Sequence, residues 1–297
     1  NTDGNAASGN QPVKGGAWST GNPNNNYGFL SIVAHETGHQ FGADHTFNSN
    51  DPAFCSPSIN AATSYEPGSG SSLMAYPGVC PVGGSIGQNL TDAFGNILND
   101  SDPYFHTRSL EQMVAFITVS GNSCASGSST GNTPPTANAS VCSTTSIPAN
   151  TPFQLTGNHT DSNNDAVTYC WEQFNAGPSH GGPSVNCGTS SGPIFRSYPP
   201  STSPTRHFPS LYYILNNNNV PLGSVGECLP TAARTLNFKL TVRDNNAGGG
   251  GIDVSSIQVI VNSTVGPLVV TSPNTNVTWT SGSSQTVTWS GSNSSSI

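Results

Sequence analysis

Apolar residues follow two different spacings along the chain, and the first is helical. From Tyr27 onward they recur three and four residues apart until Gly42, which predicts a helix that ends there. A second helix is predicted at about 108–119, where Ser109 and Gln112 also have capping-box spacing. The apolar residues of these two patterns are Phe29, Leu30, Ile32, Val33 and Phe41, then Leu110, Met113, Val114 and Ile117.

Beyond a Gly- and Ser-rich linker at 120–135, alternate residues become apolar, which is typical of strands. Four such runs, separated by Asn, Gly and Pro turns, predict an antiparallel, immunoglobulin-like β-sandwich at about 134–264. A further set of strands begins near 265 and stops at Ile297, so we expect an incomplete module at 265–297. The predicted fold class is α+β and multidomain, with residues 1–125 as the first domain. The four runs of the sandwich begin at Phe153, Val167, Leu236 and Val254, and those of the last module lie at 268–271, 277–279 and 287–289.

Turn-forming residues dominate the rest of the first domain. Residues 1–26 and 46–106 are rich in Gly, Asn, Ser and Pro and show little regular periodicity. We therefore expect loops on both sides of the first helix.

The composition removes several functional classes. Among 297 residues there are 7 Lys+Arg and 15 Asp+Glu, a net charge of −8, and charged residues make up only 7%. Seven cationic side chains are too few to form the basic face that neutralises nucleic-acid phosphates. Nucleic acid is therefore not an expected partner. No apolar run approaches the roughly 18 residues of a membrane span. The recurring β-branched and aromatic residues indicate a folded chain rather than a disordered one.

Seven cysteines lie far apart without a C-x-x-C pair, which favours disulfides over thiolate zinc or redox motifs. Disulfides indicate an oxidising compartment, so we expect a secreted, extracellular or cell-surface protein. The odd number leaves one thiol free or paired outside this chain. The sequence opens without a basic and apolar leader, so a secreted protein would have lost its leader or carry it elsewhere.

The chemically informative segment is the run from His35 to His45. On a helix, His35 and His39 lie one turn apart and project from one face, where they can share a metal ion. Glu36 lies beside them, and Gly42 can adopt a positive φ that turns the chain back and brings His45 to the same ion. Three neutral imidazoles leave one coordination position open, as a catalytic zinc requires.

Chance is a poor explanation of this motif. The expected number of such patterns in a chain of this composition is on the order of 10⁻⁵. The alternative interpretation is a buried helix whose histidines make structural hydrogen bonds.

The pattern H-E-x-x-H-x-x-G-x-x-H resembles the metzincin zinc endopeptidases, which also carry a Met-turn. Residues 71–78, with Met74 at their centre, resemble that turn. Residues 42–47 and 65–70 are similar to secreted bacterial reprolysin-like enzymes, and the step from His45 to Phe47 is similar to pappalysins. The resemblance implies that Met74 forms an apolar floor beneath the three histidines.

The resemblance also implies roles for residues near the motif. Tyr76 follows Met74 by two positions, as in relatives where a tyrosine binds zinc or stabilises an oxyanion; the alternative is a core tyrosine. Cys55 and Cys80 would bridge the loop between the third histidine and the Met-turn. The implied reaction is peptide-bond hydrolysis by a zinc-activated water, with Glu36 as general base and then general acid.

One part of the family pattern is missing. Metzincins have an upper subdomain before the active-site helix, and its edge strand binds the peptide or protein substrate by β-addition. Only 34 residues precede His35, and they are predicted to be loop. We therefore expect the zinc-binding half here, completed either by more of a longer protein or by another chain. Whether this chain alone is active depends on that completion.

The predicted sandwich carries a second candidate metal site. Asp161 and Asp165 precede one strand and Asp244 ends another, in segments that resemble polycystic-kidney-disease-type and cadherin-like immunoglobulin folds. Oxygen ligands at such positions suit Ca²⁺. The alternative is a set of Asx-turn residues in β-loops.

These patterns together predict a secreted zinc endopeptidase with appended β-domains. The rival hypothesis is a non-catalytic extracellular adhesive or filament-type protein that carries a truncated metalloprotease half. A metal-binding inhibitor-like module is a third option without specific support. Zinc content, together with a casein-cleavage assay blocked by a chelator, separates the first two.

Overall fold

A computed structural model describes most of the chain as a mixed α/β structure, made mainly of sheets with few helices. The described residues are 26–51, 55–80, 91–92, 98–121, 127–140, 146–177, 185–216 and 223–291. Residues 1–25 of the loop predicted at 1–26 lie outside them, and Asn26 is the first residue of a helix. Within the described residues, no helix has the length and apolar character needed to cross a bilayer.

The first predicted helix is confirmed as α1, Asn26–Gln40. It ends at Gln40, and Gly42 follows in the turn with a φ of +86°, a backbone conformation that glycine adopts without strain. The amide of Ala43 donates to the carbonyl of Gly38 at 3.0 Å, and that of Gly42 to His39 at 3.0 Å, which forms a Schellman turn. This turn sends the chain back along α1 toward His45.

The second helix, α2, spans Thr107–Ala115 and continues as a π-helical turn, Phe116–Ser120. The predicted capping box is wrong, because the N-cap is His106, whose Nδ1 accepts a hydrogen bond from the amide of Arg108. The side chain of Gln112 instead donates to Asp44 at 2.7 Å and accepts from the Asp44 amide at 3.2 Å. Helix α2 is thereby tied to the segment that leads to His45.

The strands follow, with a short helix α3 between the sixth and seventh. All four predicted runs of the sandwich region contain strands. The bounds are β1 Thr136–Asn138, β2 Ser146–Pro148, β3 Phe153–Thr156, β4 Asn158–Thr160, β5 Thr168–Gln173, β6 Thr205–Phe208, α3 Leu211–Leu215, β7 Arg234–Arg243, β8 Ile252–Asn262, β9 Val269–Ser272 and β10 Thr288–Ser290.

The main sheet has the strand order β2-β8-β7-β5. Strands β5, β7 and β8 pair antiparallel, whereas β2 pairs parallel to β8. Two smaller ladders, β1 with β4 and β3 with β6, lie in the same region. Alternate residues of β7, including Leu236, Phe238 and Leu240, enter one core with Phe208 and Trp171. Burial of this face explains the period-two pattern of β7 and β8.

The last module contains only the pair β9–β10 among the described residues. The strand predicted at 277–279 is wrong, because this segment forms no ladder and both Val277 and Trp279 are exposed. Alternation alone does not make a strand, because a hydrogen-bonded neighbour is also needed.

Among the described residues, two disulfides are present, Cys55–Cys80 and Cys187–Cys228. Cys170 of β5 is a buried free thiol among the described residues, whereas Cys124 and Cys142 lie outside them. The disulfides expected from the cysteine pattern are therefore confirmed for four cysteines.

The β-rich region (134–264) and the region of the two helices (26–121) share buried polar contacts. The carboxylate of Glu172 on β5 accepts hydrogen bonds from the amide of Thr107 at 2.9 Å and from the hydroxyl of Ser197 at 3.0 Å. The hydroxyl of Ser71 donates to the carbonyl of Ser197 at 3.1 Å. Arg196 lies 3.2 Å from Asp102 in an ion pair. The β-rich region therefore contacts the segment that leads into Met74.

Candidate metal centre

The three histidines of the motif converge. The Nε2 atom of His39 lies 3.1 Å from those of both His35 and His45, and the His35–His45 distance is 3.3 Å. His35 and His39 meet because they lie one turn apart on α1, and His45 joins them through the turn at Gly42. The structure thus brings together all three residues that the motif predicted as ligands.

Each imidazole is oriented by a main-chain carbonyl. The Nδ1 atoms of His35, His39 and His45 lie 2.6, 2.7 and 2.7 Å from the oxygens of Leu73, Ala43 and Ser58, respectively. A carbonyl only accepts hydrogen bonds, so each Nδ1 carries a proton, and in a neutral imidazole the Nε2 atom then keeps its lone pair. Such bonds set the tautomer and ring orientation of histidine ligands in metal sites.

Three lone pairs that face one another repel unless a cation lies between them. Zinc–nitrogen bonds of about 2.0–2.1 Å in tetrahedral geometry place ligand nitrogens about 3.3 Å apart. The observed separations of 3.1–3.3 Å fit this spacing. The donor set therefore fits zinc, and it leaves the fourth position for a water or substrate.

Burial favours the neutral, metal-binding form of His35. Burial, followed by the neighbouring His39 and His45, lowers its pKa to about 3, although the hydrogen bond to Leu73 acts in the opposite direction. The ring is therefore neutral near pH 7, which is the form that binds metals.

Met74 lies beneath the helix that carries the first two histidines. Its side chain is 0% exposed. A Cβ added at Gly38 would lie 2.5 Å from Met74 Sδ. The Met74 turn and α1 therefore pack directly against each other at a position that has no side chain. The amide of Thr46 also donates to the carbonyl of Met74 at 3.2 Å. These contacts place Met74 against Gly38 and Thr46, and its role as a floor beneath the histidines stays a prediction. The role of Gly38 was not apparent from the motif.

Tyr76 lies at the same centre. Its ring centroid is 4.5 Å from that of His45 and 5.7 Å from that of His35, and it stacks on Phe47 at 4.7 Å. The ring is half-buried. This position beside the metal ligands is compatible with the ligand or oxyanion role and also with the core-packing role.

Glu36 follows His35 on α1 and is half-buried. The reach of its carboxylate to a metal-bound water stays a prediction.

The Cys55–Cys80 disulfide has an unexpected connection to the ligands. Its Cα atoms lie 5.6 Å apart, and both cysteines are fully buried. A 3₁₀ turn, Ser56–Ser58, begins directly after Cys55, and the last residue of that turn provides the carbonyl that orients His45. The disulfide therefore holds the turn that directs the third ligand.

The three aspartates proposed for calcium also come together. Ligand oxygens of Asp161, Asp165 and Asp244 all lie within 4.8 Å of one another. The Oδ2 atom of Asp161 is buried and has no hydrogen-bond partner among the described residues, and the same holds for Oδ1 of Asn132. The residues also make Asx-turn bonds, since Oδ1 of Asp161 accepts from the amides of Asn163 and Asp165.

Asp244 is the most buried of the three carboxylates. Burial acts to raise its pKa, but hydrogen bonds from Asn132, Asn246 and Gly251 outweigh that effect and hold the pKa below its usual range. Asp244 is therefore ionised near pH 7.

Comparison with known proteins agrees with this geometry. A family model described as metallo-peptidase family M12B, reprolysin-like, matches residues 10–94, which include the three histidines and the Met74 turn. The match supports a zinc-using metallopeptidase family and hence a protein or peptide substrate. No curated protein and no solved structure matches the chain.

Proposed function

We propose that this chain contains the zinc-binding half of a secreted metzincin endopeptidase of the reprolysin-like, pappalysin-related branch. The observation that carries the proposal is the convergence of three Nε2 lone pairs at 3.1–3.3 Å, with Glu36 as the next residue of the same helix. A structural role for the histidines does not explain why three acceptors face one another.

The proposed reaction uses few groups of the chain. When bound, zinc supplies Lewis acidity to a water and to the scissile carbonyl. The carboxylate of Glu36 accepts the proton of the attacking water and then passes it to the leaving amine. The hydroxyl of Tyr76 donates a hydrogen bond to the oxygen on which negative charge develops. His35, His39 and His45 hold the metal, and Met74 packs beneath them.

The proposal also includes an assignment of three domains along the chain. We assign 1–125 to the lower metzincin subdomain, 134–264 to an immunoglobulin-like β-sandwich and 265–297 to part of another β-module. Two disulfides support an extracellular location, since such bonds persist in oxidising compartments.

We also propose that the outer face of α1 contacts the substrate-binding element that completes the cleft. Leu30 is 62% exposed, and Ile32 and Val33 are exposed beside it. Leu30 and Val33 lie three positions apart and so share one face of α1. Contiguous exposed apolar surface can mark an interaction site. Either a further part of a longer protein or another chain can provide the substrate-binding element.

Metal analysis and a cleavage assay test the proposed function. We expect about one zinc per chain, and we expect casein cleavage that a chelator stops once the cleft is complete. Glu36→Ala should keep zinc and lose cleavage, whereas His39→Ala should lose zinc. Cleavage retained by purified Glu36→Ala would contradict the mechanism. Zinc without cleavage, in a preparation with a complete cleft, would favour the adhesive or filament-type alternative.

We further propose that Asp161, Asp165 and Asp244 bind calcium. Three convergent carboxylates and a buried carboxylate oxygen without a partner among the described residues support this second site. Calcium takes oxygen ligands of this kind and would offset the repulsion among the three charges.

A further inference from the structure

Glu66 is a buried carboxylate that lies between the two segments that orient the zinc ligands. It is 1% exposed. Its amide donates to the carbonyl of Thr46 at 2.8 Å, and a single parallel bridge pairs Phe47 with Glu66. The backbone of Glu66 therefore runs alongside the residues that directly follow His45.

Four donors converge on the Glu66 carboxylate. Oε1 accepts from the hydroxyl of Thr46 at 2.8 Å and from the hydroxyl of Ser72, whereas Oε2 accepts from the amides of Ser71 at 2.7 Å and Ser72 at 3.0 Å. These bonds satisfy a charged group that would otherwise be costly to bury. Within the described part of the chain, Glu66 forms no ion pair with Lys or Arg, so its partners are these donors alone.

These bonds connect the chain segments that position two ligand residues of the metal centre. Thr46 follows His45, while Ser72 precedes Leu73, whose carbonyl orients His35. One carboxylate thus links the segment of the third ligand to the turn that directs the first ligand.

The surrounding loop is shaped around this carboxylate. Gly70 has a φ of +67°, and a Cβ there would lie 3.0 Å from Glu66 Oε2 and 2.6 Å from the Cβ of Ala75. A side chain at position 70 would therefore displace the loop from Glu66 or from the residue that follows Met74.

We infer that Glu66 is a positioning residue of the metal centre: it sets the spacing of His35 and His45 and thereby the zinc affinity. This inference rests on the proposed zinc function. It assigns Glu66 no contact with substrate or metal. Loss of its side-chain bonds leaves the amide of Thr46 bonded to the carbonyl of Met74 but removes the carboxylate that holds Thr46 and Ser72 together, so the separations of the three Nε2 atoms become less fixed.

The chemistry of the four donors distinguishes two substitutions. In Glu66→Gln, the amide carbonyl can replace Oε2 and accept both backbone N–H groups. The amide NH₂ then faces two hydroxyls, which rotate and accept from it. In Glu66→Ala, all four bonds are lost. We therefore expect Glu66→Gln to keep the metal centre and Glu66→Ala to loosen it.

The test measures zinc affinity of the full chain by competition with a chromogenic chelator, together with the visible spectrum of the Co²⁺-substituted protein. Glu66→Ala should bind zinc about 10- to 100-fold more weakly and change the Co²⁺ spectrum, while Glu66→Gln should stay within about 3-fold of the parent chain. The matched control is Glu227→Ala, which removes an equally buried carboxylate of the β-rich region that pairs with Arg206. That variant should lose stability without a change in zinc affinity.

Unchanged zinc affinity and Co²⁺ spectrum in folded Glu66→Ala would overturn the inference. If circular dichroism shows that Glu66→Ala is unfolded, Thr46→Val decides, because it removes one donor and keeps the side-chain shape. A several-fold weaker zinc affinity in Thr46→Val supports the inference, and an unchanged affinity overturns it. If the parent chain binds no zinc, the proposed function fails first and the inference fails with it.

Discussion

Gly38 of α1 lies directly against the buried sulfur of Met74, because a Cβ at position 38 would come within 2.5 Å of Met74 Sδ. The contact explains why the helix position between the first two histidines has no side chain. The close approach of α1 to the Met74 turn therefore requires glycine at position 38.

Gly38→Ala tests this contact. Met74 is fully buried and has little room to move, so overpacking should cost about 1–3 kcal/mol and exceed the helix-propensity gain of about 0.5–1 kcal/mol. Urea unfolding should show the loss, and zinc affinity should fall with it. Gly127→Ala is the control, since nothing lies within 4 Å of its added Cβ. Equal stability of the two variants would show that Met74 adjusts without cost.

Removal of the Cys55–Cys80 disulfide should weaken zinc binding as well as stability. The turn at Ser56–Ser58 carries the carbonyl that orients His45, and the bond that holds it would be lost. We expect the Cys55→Ser, Cys80→Ser pair to lose about 2–4 kcal/mol of unfolding free energy and several-fold in zinc affinity. The Cys187→Ser, Cys228→Ser pair should lose stability alone. Equal zinc affinities in the two pairs would contradict the link to His45.

Tyr76→Phe separates the two roles of this ring. The substitution keeps stacking on Phe47 and removes the hydroxyl. If the hydroxyl stabilises developing charge, kcat should fall about 10²–10³-fold with little change in KM or zinc content. Tyr65→Phe, a tyrosine of the same region that stacks on Phe174, should leave kcat unchanged. An unaltered kcat in Tyr76→Phe would assign the ring to packing only.

Cys170 should resist alkylation in the folded protein. Burial raises the pKa of its thiol well above the usual value, and the nearby Glu172 adds to the shift, while Arg243 and Arg206 oppose it. A thiol is neutral below its pKa, so raising the pH to 8 or 9 should produce almost no reactive thiolate. Peptide mass spectrometry should find Cys170 unmodified by iodoacetamide in native protein and modified in denaturant. Rapid native labelling would place the thiol at an opening of the β-rich region.

Calcium should raise the melting temperature of the full chain. Asp161→Asn and Asp165→Asn each remove one charge from the cluster and should abolish the shift. Asp253→Asn is the control, because this carboxylate accepts from the amide of Ala137 and lies outside the cluster. A calcium response that survives both cluster variants would leave the aspartates with their turn-forming role alone.

The parts of the fold that sequence could predict are those that depend on local spacing. The one-turn separation of His35 and His39 and the glycine at the helix end determine the ligand cluster from within 11 residues. Alternation likewise predicted β7 and β8, because both bury one face in the core. The segment at 277–279 has the same alternation but no paired neighbour, so a local pattern was insufficient there.

The remaining contacts depend on residues distant in sequence. The Leu73 carbonyl is 38 residues from His35, and the Ser58 carbonyl is 13 residues from His45. No side-chain type marks a backbone oxygen as a ligand-orienting group. Glu66 was visible only as part of a flanking segment, since its four donors become neighbours through folding.

The use of main-chain oxygens to orient all three imidazoles has a consequence for sequence drift. Every amino acid carries such an oxygen, so replacement of Ala43, Ser58 or Leu73 leaves the acceptor in place while the chain keeps its path. Substitutions are therefore expected to be tolerated at these three positions, whose carbonyls hold the imidazoles. Sensitivity moves to the residues that shape that path, namely the glycine after α1, the Cys55–Cys80 bridge and the carboxylate of Glu66.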